Sequence, residues 1–91
     1  MSNNRDDLME EVEDINSIDF SHDFKMLGLR IAFFRKAKGW TQEELAYRMK
    51  MQVSTIGAIE APNMTKKISL TTLFKFAKVL GVSPSTLLTF N

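Results

Sequence analysis

The chain has 91 residues, of which 44% are hydrophobic and 25% charged, and it contains no cysteine. A chain of this length suits one small domain with a modest core, and the lack of cysteine excludes a disulfide framework and thiolate chemistry. No apolar run approaches the roughly 20 residues that span a bilayer, and the acidic N-terminus lacks the basic flank of a signal peptide, so we expect a cytoplasmic protein without a membrane segment.

The net charge of +1 conceals two oppositely charged parts of the chain. Residues 1–23 carry eight acids and one base, a formal charge of −7, whereas residues 24–91 carry eleven bases and three acids, a formal charge of +8. A basic domain suits a polyanion such as nucleic acid, but lysines that only confer solubility explain the charge equally well.

Residues 1–23 are predicted to form an acidic tail that is disordered or marginally helical. Leu8, Val12 and Ile15 recur at helical spacing, which favours a short amphipathic helix. The segment is nevertheless dense in charge and has no aromatic residue before Phe20, which favours disorder.

Residues 24–91 are predicted to form an all-α domain of five helices. The first begins at Phe24, presents Leu27, Ile31 and Phe34 on one face, and stops at Gly39. Thr41 and Glu44 form a capping box for a second helix that ends near Met49. A third helix covers residues 53–60 and is followed by a loop over residues 61–68.

Two further helices complete the predicted domain. Ser69 caps the fourth helix, whose predicted inward residues are Leu70, Leu73, Phe74, Ala77 and Leu80, and Gly81 ends it. Ser83 and Pro84 open the short fifth helix, because proline suits the first helical position.

Ala46, a small residue within the second helix, allows the second and third helices to cross closely. Three blocks in this order, RKAKGWTQEELA (35–46), STIGAIE (54–60) and SLTTLFKFAKVLGVS (69–83), resemble the lambda-repressor and Cro-like helix-turn-helix family, also called the xenobiotic-response-element type. The resemblance implies that the third helix enters the DNA major groove and that dimers read two half-sites about one helical turn apart.

The resemblance also implies roles for individual residues. Gln42 is expected to face a phosphate, residues in the loop to touch the DNA backbone, and an ion pair to join the first and third helices. The residues at base-facing positions are Gln52, Val53, Ser54 and Ala58, the loop residues are Lys66 and Lys67, and the ion pair is Arg35 with Glu60.

Side-chain chemistry adds four residues to the predicted interface. Arg48 and Lys50 flank the third helix and can neutralise phosphates, and the Thr55 hydroxyl can bond bases or phosphates. Gly57 has two interpretations, either close approach of the helix to DNA or a tolerated glycine without function.

The sequence departs from the family at the linker and on the reading surface. Lys50 stands where the family has a glycine with positive φ, which predicts either a strained lysine or a reshaped turn. Gln52 is a poor N-cap, and it is the only base-facing residue whose side chain usually discriminates strongly between bases.

These observations predict a small DNA-binding transcriptional regulator. The alternative is a protein-interaction module, antitoxin-like or an adaptor, that keeps the scaffold with little sequence-specific readout. The expected partners are double-stranded DNA and a second protomer through the C-terminal helix and Phe90. An apolar patch on the first helix, formed by Met26, Leu29 and Phe33, is a further candidate contact, whose occupant is another protein, a second protomer or the tail residues Ile15, Ile18 and Phe20. For the acidic tail, a solvated segment that aids solubility and an internal competitor of DNA remain alternatives.

Catalysis is not expected from this sequence. His22 is the only histidine, and no cluster with metal-ligand spacing accompanies it, so neither a metal nor a cofactor is predicted.

Overall fold

The computed structural model describes residues 14–63 and 67–90. Within these ranges the protein is all-helical, with a 3-10 turn at Ile15–Ser17 followed by five α-helices. We number the α-helices in chain order: α1 Ser21–Ala37, α2 Gln42–Met49, α3 Val53–Glu60, α4 Leu70–Leu80 and α5 Pro84–Leu87. The predicted five-helix architecture is therefore confirmed. Leu8, Val12 and Lys66, for which the sequence made specific predictions, lie outside the described residues.

Three of the predicted N-caps hold their helices as expected. The Thr41 hydroxyl accepts the backbone N–H of Glu44 at 3.1 Å, and the Ser69 and Ser83 hydroxyls each accept an N–H three residues later at 3.2 Å. The Glu44 carboxylate accepts the Arg48 Nε–H, so its role differs from that in a reciprocal capping box. Gln52 makes no side-chain cap bond to α3, consistent with its poor capping propensity.

Helix α1 begins three residues earlier than predicted, inside the segment expected to be tail. The Asp19 carboxylate accepts the backbone N–H and the hydroxyl of Ser21, both at 2.9 Å, and thus satisfies an N–H that the first turn leaves free. These hydrogen bonds hold the pKa of the Asp19 carboxyl below its usual range.

The core is a single apolar cluster to which all five α-helices contribute. The most deeply buried large side chains are Phe76, Ile31, Leu45, Ile56, Ile59, Leu80 and Leu87. Ala46 is buried in α2, where its small side chain permits close packing with α3. None of the described helices is long and apolar enough to cross a membrane.

The predicted inward face of α4 is partly wrong. Leu70 is 68% exposed and Phe74 53% exposed, whereas Phe76, which was not assigned to the core, is completely buried. The buried stripe runs through Leu73, Phe76, Ala77 and Leu80. Its spacing of three and four residues turns Leu70 and Phe74 toward the solvent-facing side of the helix.

Helices α1, α2 and α4 end in the same left-handed turn. A residue with positive φ follows α2 and α4 directly and follows α1 after one further residue, Lys38. In each case the next N–H returns to a carbonyl five residues earlier, as in a Schellman motif. Two of these residues are Gly39 and Gly81, but the third is Lys50, with φ 55°. Of the two alternatives for the linker, the structure shows the left-handed lysine, because the Met51 N–H still reaches the Ala46 carbonyl at 2.9 Å.

We expect Lys50→Gly to stabilise the domain by about 1 kcal/mol, because glycine adopts positive φ without the steric cost of a Cβ. Urea unfolding followed by circular dichroism measures the difference. The matched control is Gly39→Ala, since nothing lies within 4 Å of the added Cβ and only backbone strain at φ +74° is introduced. It is expected to destabilise by about 1 kcal/mol. Equal or lower stability of Lys50→Gly would show that the lysine is not strained.

Candidate nucleic-acid interface

One face of α3 is open to solvent and the other forms part of the core. Ile56, Ile59 and Glu60 are buried, and their spacing of three and four residues defines the inward side of the helix. The outer side carries the predicted base-facing residues: Gln52, Val53, Ser54 and Ala58 are exposed, and Thr55 and Gly57 are half-buried. The exposed surface of α3 therefore bears short side chains, which can enter a groove without steric obstruction.

A buried ion pair fixes α3 against α1. Arg35 Nε donates to Glu60 Oε2 at 2.7 Å and Arg35 Nη2 donates to Glu60 Oε1 at 2.8 Å, the two-bond geometry expected for guanidinium and carboxylate. Arg35 is 7% exposed and Glu60 8%. Arg35 Nη1 also donates to the Trp40 carbonyl at 2.7 Å, so the same guanidinium holds the turn that leads into α2.

The buried Arg35 guanidinium keeps its charge. The hydrogen bonds from Arg35 to Glu60 raise the pKa of the guanidinium above its already high value, although burial acts in the opposite direction. Stability that arises from a raised pKa is lost only when the pH rises through that value. The guanidinium consequently stays charged throughout the pH range in which proteins are normally handled.

Gln42 extends this network to the start of α2. Its Nε2 donates to Glu60 Oε1 at 3.0 Å, so the Glu60 carboxylate accepts three hydrogen bonds. A carboxamide nitrogen has two N–H donors, and the second remains for an anion. The Gln42 carboxamide oxygen lies on the side of Gly57, where an added Cβ would be 3.6 Å away. This distance is an ordinary van der Waals contact, so packing within the protein does not require glycine at this position.

The predicted phosphate-binding cations have different surroundings. Arg48 is exposed, donates to Glu44 Oε2 at 2.7 Å and lies 4.1 Å from the centroid of the Trp40 ring. Lys50 and Lys67 are also exposed. Lys67 lines a cavity together with Ile18, Asp19, Phe20, Ser21 and Phe24. The chain that precedes α1 therefore lies close to the loop before α4.

A second basic feature was not predicted from the sequence. A groove of about 370 Å³ between the end of α2 and α4 is lined by four cationic and two apolar side chains, Arg48, Lys50, Lys75, Lys78, Met49 and Val79. The spacing of Lys75 and Lys78 places both on the outer side of α4, a signal that helical periodicity contains. Their proximity to the linker depends on tertiary packing and could not be derived from periodicity alone.

Two apolar surfaces lie away from α3. On α1, Leu29 is 41% exposed, Phe33 is 60% exposed and Met26 is half-buried. Near the C-terminal end, Leu87 is buried in the core but Leu88 is 48% exposed. Leu88 instead lines a mainly apolar cavity of about 480 Å³ with Phe20, Asp23, Phe24, Leu27 and Phe90.

His22 is exposed, and the described residues contain no group of three potential metal ligands.

Comparison with known proteins identifies the family. A family model described as Helix-turn-helix (HTH_3) matches residues 31–87, which include all of α2, α3 and α4. None of the curated proteins compared with the chain matches it. Several solved structures do match it.

Three of these structures are similar over most of the chain. The restriction-modification controller protein C.AhdI from Aeromonas hydrophila is 32% identical, with 72% of this chain and 97% of that chain covered and a TM-score of 0.65. The hypothetical transcription factor NHTF from Neisseria is 32% identical, with 79% and 80% covered and a TM-score of 0.68. The master regulator for biofilm formation SinR, solved in complex with DNA, is 38% identical, with 69% and 98% covered and a TM-score of 0.63.

The family match and these neighbours agree with the all-helical fold. Both indicate regulators of transcription and not enzymes. The chain belongs to the lambda-repressor and Cro-like helix-turn-helix family of DNA-binding transcription regulators.

Proposed function

We propose that the protein regulates transcription by placing α3 in the DNA major groove, with Gln52 at its leading end. The observation that carries this proposal is the combination of an open outer face on α3 with a buried anchor on its inner face. Because Glu60 is bonded to both Arg35 and Gln42, α3 projects at a fixed angle from α1 and α2. Such rigid support is what precise contact with base edges requires.

In this proposal Gln42 binds a phosphate with its free N–H while the other N–H remains on Glu60. Gln52 reads an adenine or another polar base edge, Val53 and Ala58 contact thymine methyl groups, and Ser54 bonds a base. Thr55 and the surrounding cations contact phosphates, which gives register and affinity without sequence information. The cations are Arg48, Lys50, Lys66 and Lys67.

The experiment that tests the proposal is selection of random duplexes by the purified full-length protein, followed by sequencing of the bound fraction. An enriched motif, repeated in inverted orientation for a dimer, is the expected result. No enrichment, together with specific capture of another protein, would favour the alternative function as an antitoxin-like or adaptor module. The exposed Leu29 and Phe33 on α1 are the observation in favour of that alternative.

DNA affinity is expected to fall steeply with salt, because phosphate contacts release condensed counterions. If the four proposed cations, Arg48, Lys50, Lys66 and Lys67, each neutralise one phosphate, the logarithm of the association constant falls with the logarithm of salt concentration with a slope of about −3.6. Fluorescence anisotropy with a labelled duplex measures this slope. Lys67→Gln is expected to make it shallower by about 0.9, whereas Lys36→Gln on α1 serves as the control and leaves it unchanged. A slope near zero for the unmodified protein would contradict the proposed contacts.

Gly57→Ala separates the two interpretations of Gly57. The new Cβ has room beside Gln42, so we expect the domain to be stabilised by about 1 kcal/mol through improved helix propensity. If Gly57 permits close approach to DNA, affinity falls while stability rises, and this is the result we expect. Unchanged affinity in anisotropy titrations would show that glycine is merely tolerated.

Dimerisation is proposed to use the C-terminal end of the domain. Leu88 and Phe20 are about half exposed beside the apolar cavity that Phe90 also lines, so a second protomer would bury them. Sedimentation equilibrium of Leu88→Glu against the unmodified protein tests this assignment, and an unchanged association constant would reject it.

We place the regulator in the cytoplasm, where its DNA target is accessible.

A further inference from the structure

The outer surface of α4 combines apolar and cationic groups that nothing in the described chain covers. Leu70 and Phe74 are exposed one helical turn apart, and Lys75 and Lys78 follow on the exposed side of the same helix. The latter two line the groove with Arg48 and Lys50 over an apolar floor of Met49 and Val79. We call this surface, formed by the groove together with Leu70 and Phe74, the α4 groove.

The positive charge of the α4 groove is largely uncompensated. Among residues 14–63 and 67–90, the two ion pairs are Arg35 with Glu60 and Arg48 with Glu44. Lys50, Lys75 and Lys78 therefore lack a carboxylate partner within the described chain. An occupant of this surface should carry several negative charges and also apolar side chains, since phosphates alone would leave Leu70 and Phe74 in water.

The chain itself contains a segment with this composition. Residues 6–14, DDLMEEVED, carry six acids and no base, and Leu8, Met9 and Val12 are distributed between the acids. We propose that residues 6–14 dock intramolecularly on the α4 groove, with carboxylates on the four cations and apolar side chains against Leu70, Phe74 and the groove floor.

The path of the described chain supports this assignment. Ile18 and Asp19 line a cavity with Lys67, which lies three residues before α4, so the chain that precedes α1 passes close to the N-terminal end of α4. Nine residues extend to about 30 Å, whereas the 11 residues of α4 are about 16 Å long. The segment is therefore long enough to extend along the whole of α4. Its tether supplies an effective concentration on the order of millimolar, which makes even a weak contact populated.

The assignment can be tested by paramagnetic relaxation in the full-length protein. Because the chain lacks cysteine, Ser2→Cys provides a single site for a nitroxide label. Loss of the amide signals of residues 70–80 in the labelled protein, and their return on reduction of the label, is the expected result. Moderate salt should restore the signals, because the contact is electrostatic and exposed.

Two double variants connect this effect with the cations. Lys75→Gln with Lys78→Gln should restore the signals of residues 70–80, whereas the control pair Lys25→Gln with Lys36→Gln on α1 should not. Broadening that is absent from α4, centred on Met26, Leu29 and Phe33, or insensitive to the α4 substitutions would overturn the proposal. So would broadening in a mixture of isotope-labelled and spin-labelled molecules, since this would assign the segment to a second copy.

Docking of residues 6–14 would regulate the proposed function, and this consequence depends on that function. Arg48 and Lys50 belong both to the α4 groove and to the proposed phosphate contacts. The relaxation experiment contains no DNA, so failure of docking and failure of DNA binding are distinguished by separate measurements.

Discussion

Glu60→Gln is expected to destabilise the domain by about 3 kcal/mol, because it leaves the Arg35 guanidinium buried without its counter-charge. Both side chains are more than nine-tenths buried, so water cannot replace the lost interaction. The substitution preserves the size of the side chain and therefore isolates the effect of charge. Urea unfolding at neutral pH measures the loss.

Glu44→Gln is a matched control for this prediction. The distance between Arg48 Nε and Glu44 Oε2 is also 2.7 Å, but the two side chains are 45% and 40% exposed. Solvent screening and the position of Glu44 near the start of α2 together limit the expected cost to below about 1 kcal/mol. Equal costs for Glu60→Gln and Glu44→Gln would contradict the assignment of Glu60 as a structural anchor.

A double variant separates charge burial from packing. Arg35→Met with Glu60→Leu removes both charges, and we expect it to be more stable than either single substitution, as is common when a buried pair is replaced by apolar groups. If the double variant is as unstable as the sum of the single variants, the two residues do not act as a pair.

Local chemistry explains why most of the fold could be predicted. The hydroxyls of Thr41, Ser69 and Ser83 satisfy the first N–H groups of their helices, and Gly39 and Gly81 supply positive φ at two helix ends. These signals depend on neighbouring residues only. The same local reasoning left two alternatives for Lys50, because the stability of the surrounding turn depends on packing between α2 and α3.

The sequence predictions were wrong or incomplete for features that depend on tertiary packing. Leu70 and Phe74 are hydrophobic and were assigned to the core, but the orientation of α4 gives that place to Phe76. The bond between Gln42 and Glu60 joins residues 18 positions apart, and the α4 groove joins two helices that are separated by α3. The exposed residues of α3 followed from periodicity, whereas the contacts that hold this helix in place depend on the complete fold.

Ala58→Glu is expected to weaken DNA binding about 100-fold or more. Ala58 is exposed on the outer face of α3, so a larger side chain does not disturb the core. Its carboxylate would meet base edges and phosphates within the major groove, and like-charge repulsion at an interface costs several kcal/mol. Anisotropy titrations with a selected duplex measure the affinity, and an unchanged unfolding curve would show that the fold is retained.

Phe33→Glu introduces the same charge at an exposed site on α1 and distinguishes the two candidate functions. For a regulator that uses α3, this variant should bind DNA as well as the unmodified protein does, because Phe33 lies on a helix outside the proposed interface. For an interaction module that uses Met26, Leu29 and Phe33, it should abolish partner binding while Ala58→Glu has little effect. Because both sites are exposed and both substitutions add one carboxylate, the general effect of negative charge is the same in the two variants. Retention of DNA binding by Ala58→Glu would therefore refute the placement of α3 in the major groove.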